Sequence, residues 1–250
     1  MRVMFAGVGE AFDETLSNTT LLVDSGTSTI LLDCGFTAAS AFWSVAEKPL
    51  ELDALYITHF HGDHYFGIPA LLVRFVEEGR TKRLTIHGQP GIEDRVLRLM
   101  EMAYSNVMAR AEFDIFYIEC DPGQDFKHAG FRFRFAMNDH PMPCLSVRLD
   151  CGDKSIFYSG DGRPTEATRA LAKGCDLIAH ESFSMEPDTP GHGTIDSSIE
   201  FARQAGAKSL ALVHVQRKVR RFMKKDILAK AGEVSDFSVF LPEPGDEREV

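Results

Sequence analysis

The feature that most constrains this chain is a group of four metal-binding residue types within six positions, directly after a predicted strand. The group consists of His59, His61, Asp63 and His64 and follows the apolar run at residues 53–58. Neither a strand nor a helix places all four side chains on one face, so the spacing predicts a sharp loop in which they converge. Imidazole nitrogen and carboxylate oxygen suit zinc, iron and manganese. Because a core has little use for clustered groups that are costly to bury, the group indicates a metal centre.

Strand-length apolar runs alternate with helix-length amphipathic segments along the whole chain. Strands are predicted at residues 2–6, 19–24, 28–33, 53–58, 83–87, 114–119, 131–137, 145–150, 155–159, 176–180 and 208–214. Helices are predicted at residues 66–78, 91–109, 164–173, 195–205 and 222–231. Turns at 25–27 and 151–154 indicate hairpins, and Gly79 marks the end of the first helix. With no repeat or linker, the pattern favours one α/β domain over residues 1–250, with helices outside two sheets.

Composition narrows the class of protein and its surroundings. The 250 residues are 44% hydrophobic and 26% charged, which predicts a soluble globular protein with a sizeable core. A net charge of −10 argues against non-specific attraction to nucleic acid or an anionic membrane. The five scattered cysteines fit reduced thiols, and no apolar run is long enough to span a bilayer. The apolar run at the N-terminus is also too short and too soon interrupted for a secretory signal. We therefore expect a cytoplasmic protein without a membrane partner.

The histidine loop resembles the signature of metallo-β-lactamase-fold hydrolases, and further motifs are similar to the ribonuclease Z branch of that superfamily. The motifs lie at residues 57–64, 5–9, 18–20, 31–35, 159–161, 179–182, 191–194 and 213–214. The resemblance covers nearly the whole chain. It implies a four-layer αββα sandwich of two mixed β-sheets flanked by helices. No cysteine matches a ligand position, which disfavours the branches that use a thiolate ligand.

The resemblance implies a centre of two divalent ions, zinc first, with manganese and iron also compatible. It assigns His59, His61 and His140 to one ion, Asp63, His64 and His214 to the other, and Asp161 as the bridge. Asp161 lies in a tight turn after a strand and His214 ends an apolar strand, as converging ligands require. The ordinary alternatives are a turn cap for His140, an Asx turn for Asp161 and a core histidine for His214. His87 and His128 match no motif and are expected to be structural.

Two metal ions imply a hydrolytic mechanism. A water shared by two ions loses a proton near neutral pH, which gives a metal-bridging hydroxide that attacks phosphorus or a carbonyl carbon. The resemblance gives Asp63 a second role in orienting this nucleophile. It makes His192 the proton donor to the leaving group, with Glu181 as its carboxylate partner. The alternative for His192 is a flexible surface residue among neighbouring glycines.

The sequence departs from ribonuclease Z where that enzyme grips tRNA. Ribonuclease Z carries a long arm between its third ligand motif and the bridging aspartate, whereas only twenty residues separate His140 from Asp161. Gly193 replaces a serine or threonine, and the segment after His214 lacks the usual pattern. These differences argue against tRNA processing and leave the expectation of phosphodiester chemistry unchanged, and RNA binding without the arm stays open.

A basic run surrounds the last predicted ligand. Residues 208–225 contain seven lysines and arginines and no acidic residue. Next to a metal site, such a run favours an anionic substrate, and we expect Arg217 and Lys218 to contact phosphate oxygens. The alternative is a solvated helix face.

Three classes of function remain compatible with the sequence. The first is a phosphodiesterase acting on cyclic nucleotides, nucleotide-like esters or short RNA, and the second is a thioester or ester hydrolase of the glyoxalase II-like type. The third is a non-hydrolytic protein, either a di-iron redox protein or an inactive relative. Because His61 is intact and all seven ligand candidates are present, the third class is disfavoured. The Glu181 and His192 pair favours phosphodiesters over thioesters, and a homodimer stays open.

Overall fold

Two seven-stranded β-sheets form the centre of the structure, a computed structural model that describes residues 1–250. The first sheet, in spatial order, contains β14 (Glu247–Glu249), β1 (Arg2–Gly7), β2 (Thr20–Asp24), β3 (Thr29–Leu32), β4 (Ala54–Tyr56), β5 (Leu84–Gly88) and β6 (Ile115–Glu119). The second contains β13 (Ser238–Phe240), β12 (Ser209–Val213), β11 (Leu177–Glu181), β10 (Lys154–Tyr158), β9 (Cys144–Cys151), β8 (Phe131–Asn138) and β7 (Asp125–His128).

Each sheet has an antiparallel half and a parallel half. In the first sheet β14, β1, β2 and β3 pair antiparallel, and β3 to β6 pair parallel. In the second, β7 to β10 pair antiparallel, and β10 to β13 pair parallel. Parallel strands end at the same edge of a sheet, so the loops that follow them gather in one place.

The two sheets pack face to face over a shared core of 22 buried residues. Strand β8 shows the alternation that produces this core, since Phe131, Phe133 and Phe135 are buried in it while Arg132 is exposed. Two hydroxyl groups also join the sheets. Tyr56 donates to the carbonyl oxygen of Leu145 at 2.5 Å, and Tyr158 donates to Asp33 at 2.8 Å.

Helices cover both outer faces and complete four layers. Helices α1 (Ala38–Val45), α3 (Ile68–Glu77) and α4 (Ile92–Tyr104) pack on the first sheet. Helices α5 (Glu166–Ala172), α6 (Ile195–Ala205) and α7 (Arg217–Glu233) pack on the second. The predicted four-layer αββα sandwich of two mixed sheets is confirmed. None of the helices combines the length and apolar character needed to cross a bilayer.

The sequence pattern did not predict several short elements, and it placed the start of the last helix too late. Helix α1 and strands β7, β13 and β14 were not predicted, since they are short or lack a clear alternation. Helix α7 begins at Arg217 rather than near residue 222, because its first turns carry basic residues in place of an apolar stripe. The predicted sharp loop ends in a single helical turn that the sequence pattern did not indicate, α2 (Gly62–Tyr65), which carries Asp63 and His64.

His87 and His128 lie together, away from the two ligand groups described below. Nε2 of His87 is 3.0 Å from Nδ1 of His128, and the His87 ring packs against Phe126 and Phe133, with centroids 5.7 Å and 4.8 Å away. Burial lowers the pKa of His87 to about 3, so this fully buried ring is neutral in the folded protein.

This neutral histidine should make the fold sensitive to mild acid. Below pH ~6.5, His87 binds a proton in the unfolded chain but stays neutral in the folded protein. The free energy of unfolding therefore falls by up to about 1.4 kcal/mol for each pH unit of acidification. His87→Phe keeps an aromatic ring in the stack and removes the proton. Urea denaturation at pH 7 and pH 5 should show a smaller loss of stability in the variant than in the wild type. Equal losses would contradict this assignment.

Candidate metal centre

The loops at the carboxyl ends of four strands bring the predicted ligands to one edge of the sandwich. His59 and His61 follow β4, and Asp63 and His64 lie on α2 immediately after them. The other ligand candidates follow strands of the second sheet: His140 after β8, Asp161 after β10 and His214 after β12. All seven predicted ligands are therefore brought together, three of them from the opposite sheet.

The first group of ligand atoms is formed by three histidines and one oxygen of Asp161. Nε2 of His59 and Nε2 of His140 lie 3.0 Å and 3.2 Å from Nδ1 of His61. Oδ2 of Asp161 is 3.9 Å from Nε2 of His59. One ligand atom from each of the four residues lies within 4.8 Å of the others. This arrangement suits one tetrahedrally bound cation.

The second group shares the same aspartate. Nε2 of His64 lies 3.2 Å from Oδ1 of Asp161 and 3.3 Å from Oδ2 of Asp63. Nε2 of His214 lies 3.5 Å and 3.3 Å from the same two oxygens. Each oxygen of Asp161 therefore faces a different group, which is the arrangement expected of a bridging carboxylate.

Outer hydrogen bonds orient two of the histidines. Nδ1 of His64 lies 2.7 Å from Oδ2 of Asp33, and Nδ1 of His140 lies 3.0 Å from the carbonyl oxygen of Gly191. Both oxygens accept, so each Nδ1 carries the proton and each Nε2 presents its lone pair to the ligand group. Asp33 was missed as a positioning residue by the sequence analysis. Its signal was an acidic residue at the end of an apolar strand.

The charges of the site favour a bound cation. Burial lowers the pKa of His59 well below its usual range, which keeps the ring neutral. Burial opposes charge on His214, but Asp161 and Asp63 outweigh it and raise its pKa to about 9. Nε2 of His64 and Oδ1 of Asp161 are buried without a hydrogen-bond partner. Buried carboxylates and unpartnered imidazole nitrogens aimed at one point fit divalent ions.

The histidine loop can pack closely against the segment that follows β3 because two positions, Gly35 and Gly67, lack a side chain. A Cβ atom at Gly35 would lie 1.7 Å from the carbonyl oxygen of Asp63, and one at Gly67 would lie 2.0 Å from that of Gly35. The backbone after β3 therefore packs directly against both ends of α2. Any larger residue would push Asp63 and His64 away from their partners.

The structure also brings the predicted proton-donor pair to the site. Nδ1 of His192 is hydrogen bonded to the fully buried carboxylate of Glu181, whose other oxygen accepts from the backbone of Gly162. The His192 ring stacks on Phe183 with centroids 4.5 Å apart and meets His140 edge-on at 5.1 Å. Burial disfavours charge on His192, but the Glu181 hydrogen bond outweighs it and raises the pKa. The ring is thereby held with Nε2 free.

The two predicted substrate contacts differ in position. Arg217 lines the cavity above the ligand groups and forms an ion pair with Glu10. Lys218 is exposed and does not belong to the cavity lining. Carboxylates neutralise five of the seven basic residues in the run, namely Lys208, Arg217, Arg220, Arg221 and Lys224. The run is therefore far less cationic than the sequence indicated.

A cavity of about 380 Å³ opens onto the ligand groups. Its lining includes four residues that the sequence analysis did not single out: Glu10, Phe12, Phe36 and Phe183. Phenylalanines at these positions carry no recognisable signal, since only the folded structure shows that their rings lie outside the core.

The fold and the ligand geometry define a metallo-β-lactamase-fold protein similar to ribonuclease Z. Residues 1–233 match the family described as "Anti-Pycsar protein Apyc1", and the chain belongs to that family. Ribonuclease Z of Pediococcus pentosaceus is 26% identical, with 94% of each chain covered.

Solved structures agree on the fold. The metallo-β-lactamase fold protein YhfI from Bacillus subtilis has a TM-score of 0.81 at 22% identity and covers 99% of this chain and 98% of its own. The short form of human tRNase Z has a TM-score of 0.82 at 21% identity, and the match covers 100% of this chain and 99% of the tRNase Z chain. The predicted superfamily and its ribonuclease Z-like branch are confirmed.

Asp161 should be the residue on which both ions depend. Asp161→Ala removes an oxygen from each ligand group, so metal affinity should fall by more than the ~10–100-fold typical of losing an outer hydrogen bond. Metal analysis after gel filtration and an activity assay on the same sample measure this loss. Asp153→Ala, in the exposed β9–β10 turn, is the matched control and should keep its metal. Full metal content in the Asp161 variant would argue against the bridging assignment.

Proposed function

We propose that this protein is a metal-dependent hydrolase that cleaves the phosphodiester of a small nucleotide. The observation that carries the proposal is the position of His192, which is held by Glu181 at the rim of the two ligand groups and lines the same cavity. A hydrolase of diesters needs metal ligands, a proton donor beside them and space for the substrate. Candidates for all three lie at one edge of this fold.

The seven ligand candidates hold the metal ions in this proposal. His59, His61 and His140 would hold one ion, Asp63, His64 and His214 would hold the other, and Asp161, which belongs to both groups, would serve both ions. Zinc is the first choice for this nitrogen-rich set, and manganese or iron is compatible with it. Such ions activate water and stabilise the charge that develops on phosphate oxygens. Asp63 also orients the attacking water.

His192 completes the reaction by supplying a proton. As the water oxygen bonds to phosphorus and the phosphorus–oxygen bond to the leaving group breaks, Nε2–H of His192 donates to the departing oxygen. Glu181 raises the pKa of the ring, which favours its protonated form, and fixes its direction through Nδ1. The products are a phosphomonoester and an alcohol.

The space around the site favours a small substrate. The cavity of about 380 Å³ lies in the range of roughly 300–1,000 Å³ that is usual for small-ligand pockets. Strands β9 and β10 form a hairpin that accounts for most of the chain between His140 and Asp161, so no long arm is present there. We therefore propose a nucleotide diester, such as a cyclic nucleotide, or the end of a short RNA, rather than folded tRNA.

The five cysteines are unpaired thiols, four of them buried. Reduced thiols suit a reducing compartment, and we place the enzyme in the cytoplasm.

A paired assay on metal-replete protein tests the function. Bis(p-nitrophenyl) phosphate should be hydrolysed, whereas a glutathione thioester should react far more slowly. Asp161→Ala serves as the control for contaminating activity in both assays. Rapid thioester hydrolysis together with an untouched phosphodiester would favour the glyoxalase II-like alternative and reject the proposal.

His192→Ala should separate proton donation from metal binding. Loss of a positioned acid costs roughly 10²–10⁴-fold on an alkoxide leaving group, which needs a proton. Nitrophenolate leaves without one, so its release should fall much less, and metal content should stay unchanged. Rates on a 3′,5′-cyclic nucleotide and on bis(p-nitrophenyl) phosphate give this comparison. Equal losses on both substrates would remove His192 from the proton-donor role.

A further inference from the structure

Three phenylalanine rings lie around the cavity without contributing to the core. Phe12 is 72% exposed and Phe36 is 48% exposed, and Phe183 is half-buried. None of the three belongs to, or packs against, the buried hydrophobic clusters between and outside the sheets. Single exposed apolar residues are ordinary, but a group of them at a cavity marks a binding surface.

Phe36 lies directly against the metal-binding loop. A Cβ atom at Gly62 would lie 2.7 Å from the edge of the Phe36 ring, so the absence of a side chain at Gly62 leaves the space that this ring occupies. Phe66 supports the ring from one side in an edge-to-face contact, with centroids 5.8 Å apart. The ring therefore lines the cavity beside His61 and Asp63 in a fixed position.

The backbone at Phe12 is held by a buried carboxylate. Glu10 is 2% exposed, and its Oε2 accepts from the backbone nitrogen of Phe12 at 3.0 Å. Its Oε1 pairs with Nη1 of Arg217, which ties this loop to the start of α7. The amide of Asn18 also donates to the carbonyl oxygen of Glu10 at 3.2 Å. These bonds hold the backbone that carries the exposed Phe12 ring, which lowers the cost of ordering this loop around a ligand.

The geometry points to Phe12 and Phe36 as a stacking surface for the nucleobase of the substrate. Both rings line the cavity that contains Asp161 and His214, so a ligand of nucleotide size can place its phosphate at the metal ligands and its base on the rings. Arg217 lines the same cavity and offers N–H groups to acceptor atoms of the base or ribose. This inference rests on the proposed phosphodiesterase function and defines how that site selects nucleotides.

Stacking is the interaction that these residues offer. Every nucleobase has a flat π-face, and alanine substitution of a stacking aromatic typically weakens binding by roughly 5- to 150-fold. Because the ring contacts the base in both the ground state and the transition state, its loss raises KM and leaves kcat nearly unchanged.

The experiment compares a 3′,5′-cyclic nucleotide with methyl riboside 3′,5′-cyclic phosphate, which has the same diester and no base. In Phe12→Ala and Phe36→Ala, KM for the nucleotide should rise by roughly 5- to 150-fold. KM for the abasic diester, kcat for both substrates and metal content should change little. Phe12→Tyr and Phe36→Tyr keep an aromatic face and should retain most of the affinity.

Two exposed phenylalanines elsewhere provide matched controls. Phe222 is 73% exposed on α7 and Phe116 is 46% exposed on β6, and neither lines the cavity. Phe222→Ala and Phe116→Ala should leave KM for the nucleotide unchanged.

The outcomes separate this inference from the function on which it rests. Equal losses on the nucleotide and the abasic diester, or no loss on the nucleotide, would overturn the stacking surface while leaving the phosphodiesterase intact. Wild-type protein that hydrolyses neither diester would overturn the proposed function and this inference with it.

Discussion

The arrangement of buried carboxylates at one edge of the sandwich is the constraint on which the rest of this structure depends. Asp33, Asp63 and Asp161 are all buried, and each would be costly to hold in a low-dielectric interior without compensating charge. Histidines supply part of that compensation, since His64 contacts all three aspartates. The remainder is what a pair of divalent cations would provide. The proposed ligands thus carry an electrostatic cost that bound cations would offset.

The sheets and the ligand site are coupled through a few hydrogen bonds. Asp33, at the end of β3, orients His64 and also accepts from Tyr158 of the opposite sheet. It accepts further from the backbone and hydroxyl of Thr58, just before the first ligand. One carboxylate therefore links the packing of the two sheets to the direction of a metal ligand. A change in how the sheets pack would reach the ligands through this residue.

Much of the fold could be predicted from the sequence, because the strands that carry ligands are strongly apolar and end at recognisable polar residues. The run at 53–58 and the run before His214 are examples, and their loops do meet in the structure. Other features depend on long-range packing. The pairing of Arg217 with Glu10, 207 positions away, neutralises one of the positive charges that the local sequence indicated. Likewise, the pattern around Phe12 gives no sign that its ring stays outside the core.

The ligand groups join parts of the chain that are far apart. Asp63 and His214 are 151 positions apart, yet their side chains lie 3.3 Å from each other. His214 reaches the second group only when β12 is paired with β11, so a chain without this pairing cannot complete the group. The second group therefore exists only where both sheets are formed and packed together. Any chemistry that needs both groups is therefore a property of the complete sandwich and of neither sheet alone.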